Sequence, residues 1–208
     1  MEEQIINMPA VALRGLTILP GMIAHFDVSR ERSLRAIEEA MEQDQKIYLV
    51  TQKNVDREDP TQEDLYQMGI VADIKQVVRL QNDVVRILVD GISRAKLLGF
   101  TGCEKYLEAE ICYFDSNKDS LPEDLREAML LGVREAFHRY VAVIGKISKE
   151  LIRQIDQYED LEKLIDYVTN NLPVSYELKQ QVLEAEDRSE EHTSELQSRV
   201  ESRMPSSA

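Results

Sequence analysis

The sequence is short of the features that announce most chemistries. It has two cysteines, Cys103 and Cys112. Two thiols make no disulfide framework, and with no nearby histidine or second pair they make a poor zinc site. Reduced thiols of a cytoplasmic protein are the expectation. No apolar run reaches the roughly 18 residues of a membrane-spanning helix, so no membrane contact is expected. The opening Met1-Glu2-Glu3-Gln4 is acidic with no apolar run behind it, which speaks against a secretory signal. Positive charge is outweighed: 25 Lys and Arg stand against 39 Asp and Glu, for a net charge of −14. The basic residues are scattered among acids, whereas a nucleic-acid backbone demands clustered positive surface. No nucleic-acid partner is expected.

Catalytic signatures are missing as well. The nearest fragment to a phosphate loop is Gly145-Lys146-Ile147, which lacks the earlier glycine and the Ser or Thr after the lysine. A helix C-terminal glycine explains it better. Serines sit at helix starts or near the C-terminus, none in a glycine-rich elbow, and Ser148-Lys149 reads as a cap beside a solvated lysine. His25 and His138 have no ligand-type residue at metal spacing. Asp64, Asp90 and Asp115 suit turns and caps. No cofactor and no metal are expected, and the chain by itself is expected not to be an enzyme.

What is present is a soluble, core-forming composition: 43% hydrophobic and 31% charged over 208 residues. Residues 6–115 read mainly as strands. Val11–Ile18 and Met22–Val28 flank the turn signal Pro20-Gly21 and suggest a first hairpin. Ser29 is placed to cap a helix carrying Leu34, Ile37 and Met41 on one face. Ile47–Val50 is a short buried strand, and Thr61-Gln-Glu-Asp64 fits a capping box opening a short helix through Tyr66. Val71–Leu80, Val84–Val89, Ile92–Phe100 and Tyr106–Phe114 follow as strands, with turns expected at Gln81-Asn82-Asp83 and Asp90-Gly91. Alternation puts Arg86 and Leu88 on one face and Val85, Ile87 and Val89 on the other. Such strands suggest a small closed or nearly closed barrel.

Residues 120–186 turn helical. Ser120-Leu-Pro-Glu123 is a capping box, followed by a stripe of Leu125, Met129, Val133, Phe137, Tyr140 and Ile144. Ser148 and Ser175 open further helices, with Leu161, Leu164, Ile165 and Val168 between them, so a bundle is expected. In the last stretch, Arg188-Ser-Glu-Glu-His-Thr-Ser-Glu-Leu-Gln-Ser198 is what a common sequencing-adapter DNA encodes. Residues 187–208 are therefore expected to be a non-native tail.

Several segments together resemble one family. Val11-Ala-Leu-Arg-Gly-Leu-Thr-Ile-Leu-Pro20 is similar to the opening strand of Lon protease N-terminal domains. His25–Val28, Arg30-Glu-Arg-Ser33, Lys46–Gln52, Gly69–Ala72, Ile74–Gln76, Arg86–Gly91, Arg94–Lys96 and Leu172–Leu183 follow in the family's order and spacing. Gly21 stands where the family usually has a larger polar residue, and Asp90 where Glu is more usual. The resemblance implies an α+β fold, a PUA-like small β-barrel over residues 6–115 followed by a helical subdomain over 120–186. It also implies capture of unfolded or damaged proteins for an ATP-dependent serine protease, and a homo-hexameric ring in the full-length protein, with the ATPase and Ser-Lys protease modules lying outside this chain.

A receptor for unfolded chains needs exposed apolar surface or an open strand edge. The first hairpin offers Leu16, Ile18, Met22, Ile23 and Phe26, which cannot all point inward if the strands alternate. The helix start Arg30, Glu31 and Arg32 is the charged motif beside them. A stand-alone PUA-like protein binding a small ligand or RNA is the competing reading, weakened by the net charge.

Overall fold

The computed structural model describes residues 5–103, 105–113, 122–144 and 148–185. The strands are β1 (Ile5–Leu13), β2 (Ile23–Val28), β3 (Lys46–Thr51), β4 (Met68–Arg79), β5 (Val85–Phe100) and β6 (Glu108–Tyr113). Helix α1 (Glu31–Glu42) lies between β2 and β3, and a 3-10 turn, Gln62–Asp64, precedes β4. The helical half has α2 (Glu123–Ile144), α3 (Lys149–Gln157) and α4 (Leu161–Asn171). Residues 176–185 form a further helix, α5. The α+β class expected from the sequence is the class found.

All six strands share one sheet in the order β2-β5-β4-β3-β1-β6. Because β5 also pairs β6, the run β5-β4-β3-β1-β6 returns to β5 and closes into a ring. Strand β5 makes this possible by its length of 16 residues. Its first half pairs β2 through Val85–Asp90 and its second half pairs β6 through Ala95–Phe100. Between the halves, Val71 faces Ser93 while Ala72 faces Gly91, so Ile92 bulges out of the ladder. A bulge bends its strand and increases its twist, which carries β5 from one neighbour to the other.

Three expectations are corrected here. Asp90-Gly91 is not a turn: β5 continues through it without a break. Glycine is required because a Cβ at position 91 would lie 2.4 Å from the Leu19 carbonyl oxygen. The first hairpin does not exist, since β1 ends at Leu13 and pairs β3 and β6, while β2 pairs β5. Residue Ser29 does not cap α1, whose N-cap is Arg30 without a side-chain hydrogen bond. The Thr61–Asp64 capping box is present, yet it opens only the 3-10 turn. By contrast, the chain does turn between β4 and β5 at Gln81-Asn82-Asp83, where Leu80 N donates to the Val84 carbonyl at 2.8 Å and Asn82 and Asp83 take positive φ.

The strand pattern explains two apolar layers. On β3, Ile47 and Leu49 join one cluster with Val11, Leu13, Ile37, Ile70, Ile87 and Val89. Tyr48 and Val50 join a second with Ala10, Ala12, Val71, Leu97 and Ile111. Burial on both faces is why Ile47–Val50 reads as an unbroken apolar run. Helix α1 seals the first layer with Ala36, Ile37 and Ala40. Each fully buried aliphatic side chain of this kind contributes about 1.5–3 kcal/mol.

The helical half has its own core of Leu130, Phe137, Ile155, Leu161 and Leu164. Its helices are capped by side chains. Ser148 Oγ accepts from Leu151 N at 3.2 Å, Asp160 from Glu162 N at 3.1 Å and Lys163 N at 3.2 Å, and Ser175 from Leu178 N at 3.4 Å. On α2 the expected stripe holds in its middle and fails at its start: Phe137 is buried with Val133 and Tyr140 packed against the same core, whereas Leu125 and Met129 are exposed and Leu130 is buried instead. Of the other expectations, the Ser120 cap, Phe114, Asp115, the Gly145-Lys146-Ile147 fragment and the tail 187–208 lie outside the described residues.

The two halves meet through polar groups. Arg94 on β5 donates two hydrogen bonds to Asp166 on α4, at 2.8 and 2.6 Å. Their side chains are only 9% and 6% exposed. Burial raises the Asp166 pKa, and the guanidinium pulls the other way. Asn170 Nδ2 donates to the Pro20 carbonyl at 3.1 Å and Gln180 Nε2 to the Met68 carbonyl at 2.9 Å. A small apolar cluster of Leu19, Met68 and Leu183 fills the centre.

Candidate substrate-binding surface

The surface is built on the turn Leu19-Pro20-Gly21-Met22. Proline presets φ at the second position, and Gly21, with φ of 71°, supplies the left-handed third. Met22 N donates to the Leu19 carbonyl at 3.1 Å and closes the turn. The turn is then fastened to β5, since Gly21 N donates to the Gly91 carbonyl at 2.8 Å and Gly91 N to the Met22 carbonyl at 3.0 Å. Gly91 is the point where the two backbones touch.

Strand β2 leaves this turn and alternates. Ala24, Phe26 and Val28 face the core, opposite Val89, Ile87 and Val85. Ile23, His25 and Asp27 face outward, opposite Asp90, Leu88 and Arg86. Ile23 is 67% exposed, a large aliphatic side chain beside the junction of the two halves. Ile92, in the bulge next to Gly91, is exposed too, and Lys179 of α5 reaches to 4.0 Å from the Met22 sulfur. Burial of the Lys179 ammonium lowers its pKa.

The residues singled out from sequence therefore separate. Ile18 is 1% exposed and belongs to the core. Leu16, Met22 and Phe26 are half-buried against the same cluster. Ile23 is the open one. Arg30 is an internal tie: its guanidinium donates to Gln52 Oε1 at 2.8 Å and to the Arg57 carbonyl at 3.2 Å. Desolvation, with Arg14 nearby, lowers its pKa. Glu31 pairs with Arg35 one helical turn on, and Arg32 is exposed. Neither Ile92 nor Lys179 was foreseen. The bulge that turns Ile92 outward depends on a backbone approach between residues about 70 apart in the chain.

An open polar groove of about 740 Å³ lies elsewhere, beside the 3-10 turn, with Lys53, Arg57, Gln62, Leu65 and Tyr66 along it. Its cations are occupied, Lys53 by the Glu63 carbonyl at 3.0 Å and Arg57 by Asp64 at 2.8 Å. That leaves it poorly suited to an anionic ligand. Among the described residues no group of three potential metal ligands comes together, and no helix is long and apolar enough to cross a membrane. His138 bonds Asp156 across α2 and α3 at 2.8 Å, a contact the sequence reading did not foresee. Neither cysteine is in a disulfide: Cys112 is buried, its thiol donating to the Tyr113 carbonyl at 3.5 Å, and Cys103 is partly buried.

Residues 7–195 match the sequence family described as the ATP-dependent protease La (LON) substrate-binding domain. The chain belongs to the Lon substrate-binding domain family. It is 37% identical over 192 residues to a Lon protease of Lachnoclostridium phytofermentans, covering 92% of this chain and 24% of that protein. It is 37% identical over 183 residues to a Lon protease of Clostridium acetobutylicum, covering 88% and 23% respectively. The chain thus spans about a quarter of the length of the curated relatives it matches. The fold is similar to the N-terminal domain of a Lon protease from the Mycobacterium avium complex, with a TM-score of 0.70 over 86% of this chain and 90% of that one, at 18% identity.

Proposed function

We propose that this Lon-family domain captures unfolded or damaged protein in the cytoplasm and presents it to the ATPase and protease modules of a six-membered ring. Its family membership over residues 7–195 carries the proposal. In this reading residues 6–115 and 120–186 act as two subdomains. The capture surface centres on Ile23 and Met22, where the first subdomain meets the second. Ile23 supplies exposed apolar area, and Met22 is an unbranched thioether that adapts to varied side chains. Leu16 and Phe26 support them from below, Ile18 anchors the turn in the core, and Arg30, Glu31 and Arg32 shape the polar rim.

A single site of this kind lacks the avidity of a ring, so affinity on the order of micromolar or weaker is expected. The test is binding of the chain to chemically denatured, fluorescently labelled casein, to a compact native protein and to single-stranded RNA. Denatured casein should bind best and RNA poorly, since the chain carries −14. Tight RNA binding that falls steeply with salt, with unfolded protein ignored, would overturn the proposal.

A further inference from the structure

Strand β2 stands at the end of the sheet order and pairs with β5 alone. Antiparallel alternation decides where its backbone groups point. Gly91 N donates to the Met22 carbonyl at 3.0 Å, so residue 91 turns its backbone toward β2. At the other end Leu80 N donates to the Val84 carbonyl at 2.8 Å, so residue 84 turns its backbone toward β4. Counted from either end, Val85, Ile87 and Val89 present their backbone groups to β2, where they meet Val28, Phe26 and Ala24. The N–H and C=O groups of Ile23, His25 and Asp27 therefore line the opposite edge. Among the described residues no further strand pairs them and no loop backbone bonds them.

We propose that an extended, uncharged segment of an unfolded protein adds to this edge as a further strand, held by main-chain hydrogen bonds to Ile23, His25 and Asp27. The inference rests on the capture surface at Ile23 and gives that surface a mode of binding. Every polypeptide carries the same backbone donors and acceptors, so such an edge takes segments of unrelated sequence. A compact protein has those groups paired within its own structure. Edge strands are commonly blunted by lysine or proline, and Ile23-Ala-His-Phe-Asp-Val28 has neither. The acids of the outer face are already matched, Asp27 by Arg86 at 2.6 Å and Asp90 by Lys75 at 3.7 Å, so the face asks for no counter-charge. A side chain set opposite Ile23 stands on that same outer face. There it meets an aliphatic group 67% exposed, which favours an apolar residue. A second copy of this chain fits worse. Two β2 strands antiparallel about His25 would set each Ile23 opposite the partner's Asp27, and two chains of −14 repel.

The experiment is residue-resolved amide exchange by NMR on the 208-residue chain, with and without saturating denatured casein, beside casein titrations of wild type, His25→Pro and Ile23→Asp. Casein should slow exchange at Ile23, His25 and Asp27 and change Phe26, already bonded to β5, much less. His25→Pro removes one edge-facing donor and no ladder bond, and proline is tolerated on an edge strand. The variant should weaken casein binding about threefold to tenfold, the worth of one hydrogen bond. Should it fail to fold, the exchange data on wild type decide alone. Unchanged exchange at the three edge amides overturns strand addition. If Ile23→Asp still weakens binding in that case, the apolar capture surface stands without it; if Ile23→Asp binds as wild type, both readings fall. Protection of the His25 amide that grows with chain concentration in the absence of casein would put a second copy on the edge and also overturn the proposal.

Discussion

Replacing Asp166 by asparagine removes the negative half of the junction between the two parts of the fold and changes little else in shape. The consequence follows from burial. Arg94 and Asp166 are 9% and 6% exposed and share two hydrogen bonds of 2.6–2.8 Å. An arginine left there keeps its charge at any practical pH and has lost the carboxylate that accepts two of its hydrogen bonds in a dry environment. Breaking one side of such a pair costs about 3–5 kcal/mol. For a chain of this size each kcal/mol moves the melting temperature by about 2–4 °C, so Asp166→Asn should melt about 6–20 °C below wild type by circular dichroism. The double variant Arg94→Met/Asp166→Leu removes both charges and should recover most of the loss, because apolar replacements of a buried pair are often neutral. Should Asp166→Asn melt within about 2 °C of wild type, the pair is not the buried junction described here.

Three further outcomes are expected. Gly91→Ala forces a methyl group to 2.4 Å from the Leu19 carbonyl oxygen, and overpacking of this kind costs about 1–3 kcal/mol; urea unfolding that matches wild type would contradict the close approach. Ile87→Ala should cost about 2–5 kcal/mol in the same assay as a core truncation, Arg86→Ala on the outer face should be nearly neutral, and Leu88→Ala should fall between. Asp64 is held below the ordinary carboxylate range, first by hydrogen bonds from the Thr61 hydroxyl and amide and then by Arg57. Its contribution is therefore complete above the unfolded value of 3.8 and is lost as pH falls through the lower folded value. The protection factor of the Thr61 amide, measured against its intrinsic exchange rate, should fall as pH drops below 3.8 in wild type, whereas Asp64→Asn should show lower protection already at pH 7.

Local rules made much of this legible. Alternation separated Arg86 and Leu88 from Val85, Ile87 and Val89, the Gln81-Asn82-Asp83 run announced a turn, and Ser148 and Ser175 marked helix starts. The failures share a cause, which is contact between residues far apart in the chain. Asp90-Gly91 has the composition of a turn, yet Gly91 is there because the turn at Leu19–Met22 rests on it. Pairing of β1 in parallel with β3 has no local signature, so two apolar runs flanking Pro20-Gly21 suggested a hairpin between strands that never meet. On α2 both faces are apolar, and periodicity alone could not tell which one the rest of the helical core would cover. Within the candidate surface, alternation could say that some apolar residues near the turn must face out. Only the register of β2 on β5 shows that Ile23 does so while Ile18 is core.

The capture surface at Ile23 is tested most directly by fluorescence anisotropy with labelled, chemically denatured casein titrated into wild type and Ile23→Asp. Position 23 is solvent-facing, so the variant should stay folded, with a loss of up to about 1 kcal/mol from setting a carboxylate opposite Asp90. A charge placed where apolar segments dock should weaken binding about tenfold or more, a change of about 1.4 kcal/mol. Equal affinity for the two proteins, with both well folded, would contradict the assignment of this surface.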